Sequence, residues 1–377
     1  MRFTRLRLEN WRNFKRLDVA LQLRAFIVGP NAAGKSNLLD VFRFLRDIAE
    51  PEGGFQRAVK SRGGVSQLRC LHARKQADVA IQVEMDLGDA HWAYELEFAQ
   101  DAQKTPTVRR ERITRDGLDV IPPRPDEADN DDRNRLTQTY LEQVNANKDF
   151  REVADFLSGI RYLHIVPQLI RQSDRVISKA DDPLGSDFLE QIARMQPRTR
   201  DSRLKKINKA LQVAVPQLKE LTFERDGRGV PHLKGLYKHW RPDAGSQTEE
   251  HFSDGTLRLL GLLWALLDGN APLLLEEPEL SLHSEVVRHI PAMMASASRK
   301  SARQVLISTH SADLLADVGI APEEVIWLRP TEEGTIVESA GDDSQVRALV
   351  EGGLTIAEAV LPRTAPEHAA QLAMFAE

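Results

Sequence analysis

The sequence holds one cysteine, Cys70, in 377 residues. That excludes a disulfide framework and any multi-cysteine zinc site. Long apolar runs are absent too: the longest, Leu257 to Leu267, is broken by Arg258 and is too short to span a bilayer. The chain opens as a strand carrying Arg2, Arg5 and Arg7, not as a short basic stub followed by an apolar core, so no secretory signal is expected. These absences lead us to expect a cytoplasmic protein without membrane contact and not a transport subunit. Charge of one sign is also lacking. With 51 basic and 56 acidic residues the net charge is −5, which gives no global field for nucleic acid. Aromatic residues make up 6%, with no basic–aromatic interleaving of the kind that stacks bases. No apolar heptads are sustained, which excludes a long coiled coil, and no internal repeat is visible. The length suggests two lobes rather than one compact domain.

What is present begins near the N-terminus. Phe26 to Asn37 reads as an apolar strand, a loop and a helix start, and its loop fits G-x-x-x-x-G-K-[ST] without mismatch. In Gly29, Pro30, Asn31, Ala32, Ala33, Gly34, Lys35, Ser36 and Asn37 the two glycines let backbone N–H groups turn inward on phosphate oxygens. The positive end of the following helix adds to that attraction. Lys35 would reach the β- and γ-phosphates, and the Ser36 hydroxyl would hold Mg2+. The amphipathic stretch Leu38 to Leu45 supplies the helix. We read this as a nucleoside triphosphate site.

Three further pieces follow in order. Leu273-Leu274-Leu275-Glu276-Glu277-Pro278 is a short apolar run ending in two carboxylates, as in a buried parallel strand that presents acids at its carboxyl end. Glu276 would hold Mg2+, directly or through water, and Glu277 would orient and deprotonate the attacking water. Gln304 to His310 repeats the pattern, with His310 at the strand's end. Phe252-Ser253-Asp254-Gly255-Thr256-Leu257 opens an apolar helix roughly 20 residues before the Glu-Glu strand. Taken singly, the acids read equally as a solvated pair, His310 as an ordinary loop residue and Ser253 as a helix cap. Their order behind the phosphate loop is what joins them.

That order resembles the ATP-binding-cassette ATPases: phosphate loop, signature, strand with catalytic Glu, then switch His. The RecF/SMC/OLD branch of soluble AAA-family ATPases is the nearest resemblance, with Leu6 to Lys15 similar to its N-terminus and Glu277 to His283 to its D-loop. The resemblance covers about residues 1–50 and 250–330. It departs at Asp254 and Thr256, where transporter cassettes carry Gly and Gln, and at Glu276, where most members carry Asp.

The resemblance implies an α/β fold: a P-loop NTPase of the cassette-head type, with an N-terminal antiparallel sheet and an inserted helical lobe. It also implies a homodimer, or a higher even oligomer, closed around two ATPs with Mg2+. Ser253 and the Gly255 backbone of one subunit would close on the γ-phosphate held by Lys35 of the other. Glu277 would activate water and His310 would stabilise the γ-phosphate. Gln168 is the candidate for the family's Q-loop glutamine, touching Mg2+ or the water, with Gln172 as its rival.

Organisation along the chain is read as residues 1–120 for the first half of the core, 121–245 for a mostly helical insert, and 246–377 for the second half. Val79 to Asp86 and His91 to Ala99 alternate around Gly88-Asp89 as a hairpin, and Arg109 to Arg115 pairs with Leu118 to Ile121. Asp126 to Arg135 reads as an acidic mobile loop, 136–158 and 186–215 as helices, and Tyr162 to Val166 as a strand.

Two basic clusters stand out: Arg194, Arg198, Arg200, Arg203, Lys205, Lys206 and Lys209, and Arg109, Arg110, Arg112 and Arg115. Either could follow a double-stranded DNA backbone, or be a solvated face. Leu349 to Gly352 resembles the opening of a Toprim nuclease, but only 26 residues follow Glu351, so a nuclease is expected as a separate chain. Solo ATPases of this type are similar to those encoded beside an effector in prokaryotic anti-phage systems. The expected function is therefore an ATP hydrolase that switches a protein effector in defence. The alternative is a RecF-like DNA-binding ATPase in repair.

Overall fold

The structure, a computed structural model, describes residues 1–73, 78–171, 182, 184–240, 245–365 and 371. The first seven strands are β1 (Arg2–Trp11), β2 (Phe14–Ala20), β3 (Arg24–Val28), β4 (Val79–Leu87), β5 (Ala90–Gln100), β6 (Pro106–Arg115) and β7 (Leu118–Asp119). Then come β8 (Arg161–Leu163), β9 (Leu218–Arg225), β10 (Pro231–Tyr237) and β11 (Ser246–Thr248). The last four are β12 (Leu273–Glu276), β13 (Val305–Thr309), β14 (Val325–Thr331) and β15 (Gly334–Ser339). The helices that carry the site and the lobe are α1 (Lys35–Ala49), α2 (Arg151–Ser158), α3 (Pro167–Arg171), α4 (Phe188–Arg194), α5 (Pro197–Ala214), α6 (Asp254–Leu267) and α7 (Ile290–Ser301).

Two six-stranded sheets build the core. The first, in the order β2-β1-β4-β5-β6-β7, is antiparallel. Its strands alternate buried and half-exposed residues, most regularly in β4, because one face packs inward and the other meets solvent. The second sheet has the order β15-β14-β3-β13-β12-β8 and is parallel except for β15. Here Phe26 to Val28, Leu273 to Leu275 and Val305 to Thr309 are buried without alternation, as strands covered on both faces must be.

The space between the sheets is filled by Leu38, Leu39, Phe42 and Leu45 of α1 against Trp11, Trp92, Phe98 and Leu274. On the far face Phe26, Val28, Leu275 and Ile307 meet Ile290 and Met294 of α7. The register sets Thr309 beside Val28 and Glu276 beside Ser308. The carboxyl ends of β3, β13 and β12 therefore stop together, and everything the three following loops carry converges on one edge of the sheet.

Several sequence-based expectations need correction. The span 121–245 is not one helical insert. Its β8 pairs with β12 in the central sheet, and β9, β10 and β11 form a separate antiparallel sheet packed with α4, α5 and α6 around Phe188, Leu204, Leu211, Leu233 and Trp264. The expected helix 186–215 is two, broken at Gln196 with Pro197 opening the second. Of 136–158 only α2 is regular α-helix; before it, Arg133–Thr137 and Ala146–Phe150 are 3-10 turns. The strand Tyr162 to Val166 ends at Leu163, because Ile165 turns away to fill the lobe core.

Residues 126–135 are not a mobile loop. Asp126 caps the short helix Glu127–Asp131, and Asp129 within it is wholly buried against Arg124. The hairpin around Gly88-Asp89 is present, and its register pairs Leu87 with Ala90 and Asp86 with His91.

Candidate active site

The phosphate loop spans the gap between β3 and α1 in a shape few residues tolerate. Ala32 has φ 62° and Gly34 has φ 98°. A Cβ on Gly34 would lie 2.2 Å from the Asn13 amide nitrogen, and one on Gly29 would lie 2.8 Å from the Leu328 carbonyl oxygen. Gly29 is therefore required by contact with backbone, and Gly34 by its dihedral angle. Asn13 and its neighbours support the loop from behind. Its Nδ2 donates to the Ala33 carbonyl at 2.8 Å, its Oδ1 accepts from Asn37 Nδ2 at 2.9 Å, and Thr335 Oγ1 also donates to Ala33 O at 3.0 Å. Trp11 Nε1 donates to the Asn37 carbonyl at 3.0 Å. The N-terminal motif that carried the resemblance thus braces the loop physically.

Lys35, almost completely buried, donates from Nζ to the carbonyls of Gly29 at 3.0 Å and Pro30 at 3.2 Å. Burial lowers its pKa, while the carboxylates of Glu277, Glu279 and Glu276 work in the opposite direction. Ser36 lies at the exposed mouth, and its Oγ donates to Glu276 Oε1. Asn31 and Ala32 are exposed at the same mouth, with Pro30 beside them.

Glu276 ends β12, and Glu277 follows with φ 42°, a left-handed conformation rare for a glutamate and characteristic of functional loops. The Glu277 N–H donates to Ser308 O at 3.0 Å, fixing the turn to the next strand. Its Oε1 lies 3.1 Å from His310 Nδ1. Ser36 is thus joined to the first acid and His310 to the second.

Glu279, two residues on, is buried, and desolvation raises its pKa. Its Oε1 accepts from Thr309 Oγ1 at 2.5 Å, and Thr309 Oγ1 accepts from the Ser311 N–H at 3.0 Å, tying the loop after β12 to the end of β13.

Ser253 caps α6: its Oγ accepts from the Thr256 N–H at 3.2 Å and is exposed at the helix N-terminus. Gly255 has no room for a side chain, since a Cβ would lie 2.5 Å from the carbonyl oxygen of Ser281, itself at φ 62°. Asp254 is held by Arg171 of α3, which also donates to Phe252 O at 2.7 Å.

Gln168 does not join this group. It lies exposed on α3 and makes no hydrogen bond among the described residues, because β8 stops at Leu163, before the chain reaches it. Gln172 lies outside the described residues. The groups brought to the site here are Tyr162 of β8, whose hydroxyl donates to Glu276 Oε2, and His164 just beyond the strand, whose Nδ1 is 3.3 Å from the Glu276 carbonyl oxygen. A carbonyl only accepts, so His164 donates there from Nδ1. Sequence reasoning missed Tyr162, His164, Asn13, Arg171 and Glu279. The one available signal was parity: Tyr162 pairs with Leu274, two residues from Glu276, so tyrosine and glutamate share a face.

Among the described residues no group of three or more His, Cys, Asp or Glu could cage a metal ion. Ser36 and Glu276 instead offer the sparse oxygen set that suits Mg2+ when nucleotide phosphates complete its shell. No described helix is long and apolar enough to cross a membrane.

Comparisons with known proteins bear on the fold and the family. An SMC head bound to the C-terminal winged-helix domain of ScpA superposes with a TM-score of 0.58 at 12% identity, covering 91% of this chain and 99% of that one. An SMC head with an extended coiled coil, bound to the C-terminal domain of ScpA derived from Pyrococcus furiosus, gives 0.51 at 9% identity, covering 93% and 99%. At such identities the likeness is one of fold. No curated protein matches the chain. Residues 24–317 match the family described as "AAA domain, putative AbiEii toxin, Type IV TA system". With that match over most of its length and an SMC-head-like fold beneath it, the chain belongs to this family of P-loop ATPases.

Proposed function

We propose that the chain is a Mg2+-dependent ATP hydrolase that dimerises around ATP and uses hydrolysis to switch a partner effector in prokaryotic anti-phage defence. The observation that carries the hydrolase is the pairing at one sheet edge: Ser36 with Glu276, and His310 with Glu277. Lys35 and the phosphate-loop N–H groups hold the triphosphate. Mg2+ held by Ser36 and Glu276 would neutralise charge on the β- and γ-phosphates. Glu277 accepts a proton from the attacking water as its oxygen bonds to the γ-phosphorus, and the bond to the β-phosphate oxygen breaks to leave ADP and phosphate. His310 donates to the γ-phosphate oxygens as charge develops there. Ser253 is exposed at the positive end of α6, consistent with its supplying the trans contact in a homodimer.

The defence role rests on the family description, and a head-bound partner is supported by the ScpA domains seated on the similar SMC heads. The effector in this reading is a protein, a nuclease in one version.

A DNA-engaging reading is favoured by one surface. Arg109, Arg110 and Arg112 are matched by Asp78, Glu95 and Asp119, so three charges of that cluster are offset, while Arg115 lies over Trp92 and keeps its charge. On α5, Arg200 and Arg203 are paired with Asp201 and Asp268. Arg198, Lys205, Lys206 and Lys209 are exposed and form no ion pair among the described residues, leaving a basic stripe along one side of the helix.

The test is ATP turnover at moderate salt with and without duplex DNA, with Glu277→Gln as the blank. Turnover that is DNA-independent supports the effector switch, strong stimulation moves the protein to the DNA-engaging class, and no turnover above the blank under either condition refutes the hydrolase.

A further inference from the structure

Glu276 stands where the resemblance would place an aspartate, and the structure shows what its extra length reaches. Both carboxylate oxygens carry a donor: Ser36 Oγ on Oε1 and Tyr162 OH on Oε2. The two donors come from opposite flanks, Ser36 from the first turn of α1 and Tyr162 from the edge strand β8. Tyr162 is itself fixed. The Arg43 guanidinium of α1 lies 4.2 Å from its ring centroid, and Arg43 is tethered to Asp40 at 3.8 Å.

We propose that Tyr162 is a positioning residue for the Glu276 carboxylate, and that glutamate and tyrosine act as a matched pair in place of a shorter aspartate. The inference rests on the reading of Ser36 and Glu276 as the Mg2+-holding groups. Tyr162 occupies Oε2 and thereby turns Oε1 toward Ser36, where the cation would sit. Such outer donors set the orientation of a metal-holding carboxylate, and losing one costs about 10- to 100-fold in metal affinity. Replacing Glu276 by Asp draws the carboxylate back by about 1.5 Å, one carbon–carbon bond. Ser36 and Tyr162 then cannot both be reached, so a change toward the commoner residue is harmful in this chain.

The experiment compares the full-length wild type with Tyr162→Phe, Glu276→Asp and the double variant. Mn2+ is the probe, followed by electron paramagnetic resonance in the presence of a non-hydrolysable ATP analogue. Binding of a fluorescent ATP analogue without metal is measured alongside. We expect Tyr162→Phe to weaken Mn2+ about 10- to 100-fold, Glu276→Asp to weaken it by a similar factor, and the double variant to be no worse than the weaker single. Metal-free nucleotide affinity stays within twofold throughout.

Losses that multiply in the double variant would overturn the pairing, as would Mn2+ affinity in Tyr162→Phe within twofold of the wild type. A parallel fall in metal-free nucleotide binding would report general damage and also overturn it. Failure of the hydrolase reading is seen separately: wild-type protein that binds Mn2+ and nucleotide without turning ATP over refutes that function and leaves the pairing to be judged on binding.

Discussion

Replacing Arg124 by Met should destabilise the protein far more than its distance from the nucleotide site suggests. Arg124 is fully buried and spends its donors on two carboxylates and two carbonyls. Nε and Nη2 bind Asp129 at 2.9 and 2.8 Å, Nη1 approaches Glu111 at 3.5 Å, and the Gln138 and Arg135 carbonyls each accept at 2.7 Å. Methionine fills much of the volume but removes all of these bonds, leaving Asp129 only Arg135 Nε at 3.2 Å and the Asp126 N–H at 3.1 Å, and leaving Glu111 with the Tyr140 N–H and the Tyr94 hydroxyl but no buried cation. Removing one member of a buried ion pair costs about 3–5 kcal/mol, because the remaining charge is left in a dry interior.

The pH dependence has a definite sign. Burial pushes the Glu111 pKa up to about 7, against the opposing influence of the Tyr140 N–H and of Arg124. A folded pKa raised above 4.5 means that the stability Glu111 lends is present at low pH and is lost as pH rises from about 4.5 through about 7. Without Arg124 that pKa rises further, so the gap between wild type and variant should be wider at pH 8 than at pH 6. Urea unfolding at both pH values measures this through midpoint shifts at constant m. Adding Glu111→Gln to the variant should restore part of the loss at pH 8. A loss below about 1 kcal/mol, or a gap that narrows as pH rises, would refute the reasoning.

Three further outcomes are expected near the nucleotide. Glu277→Gln should lower turnover by about 10²–10⁴-fold and trap an ATP-bound dimer; light scattering that finds only monomer with ATP and Mg2+ counts against it. Ser253→Arg should bind nucleotide normally and show no turnover, since it blocks only the face offered to the second subunit; full activity in that variant removes the trans-site arrangement. Gly34→Ala places a Cβ 2.2 Å from Asn13 Nδ2 at φ 98° and should weaken binding of a fluorescent ATP analogue at least about tenfold, the effect of roughly 1.4 kcal/mol of strain. An unchanged dissociation constant would show that the loop relaxes freely.

How much was legible in the sequence depended on how local the cause was. The phosphate loop could be read because its constraint is short-range: two glycines, a lysine and a serine between strand and helix satisfy the geometry wherever they occur. The buried parallel strands could be read because a strand covered on both faces has no polar alternation to hide it. The hairpin around Gly88-Asp89 was readable from its own periodicity, and Glu276, Glu277 and His310 from their places at strand ends.

The rest was decided by tertiary contact. Acid-rich residues 126–135 read as solvent-loving because the sequence does not say that Arg124 is buried among them. Gln168 was preferred as the glutamine just after the expected strand Tyr162 to Val166, whereas the strand ends at Leu163 and Tyr162 and His164 meet Glu276 instead. The two basic clusters looked alike until sheet neighbours offset three of the four charges of one and helix α5 left part of the other exposed. The sequence by itself determined the phosphate loop, the acids and the fold class, because each is specified by residues within one turn or one strand. Only the tertiary structure decided which distant side chains complete the site, because a hydrogen bond such as that from Tyr162 to Glu276 joins residues 114 positions apart and exists only once two strands lie side by side.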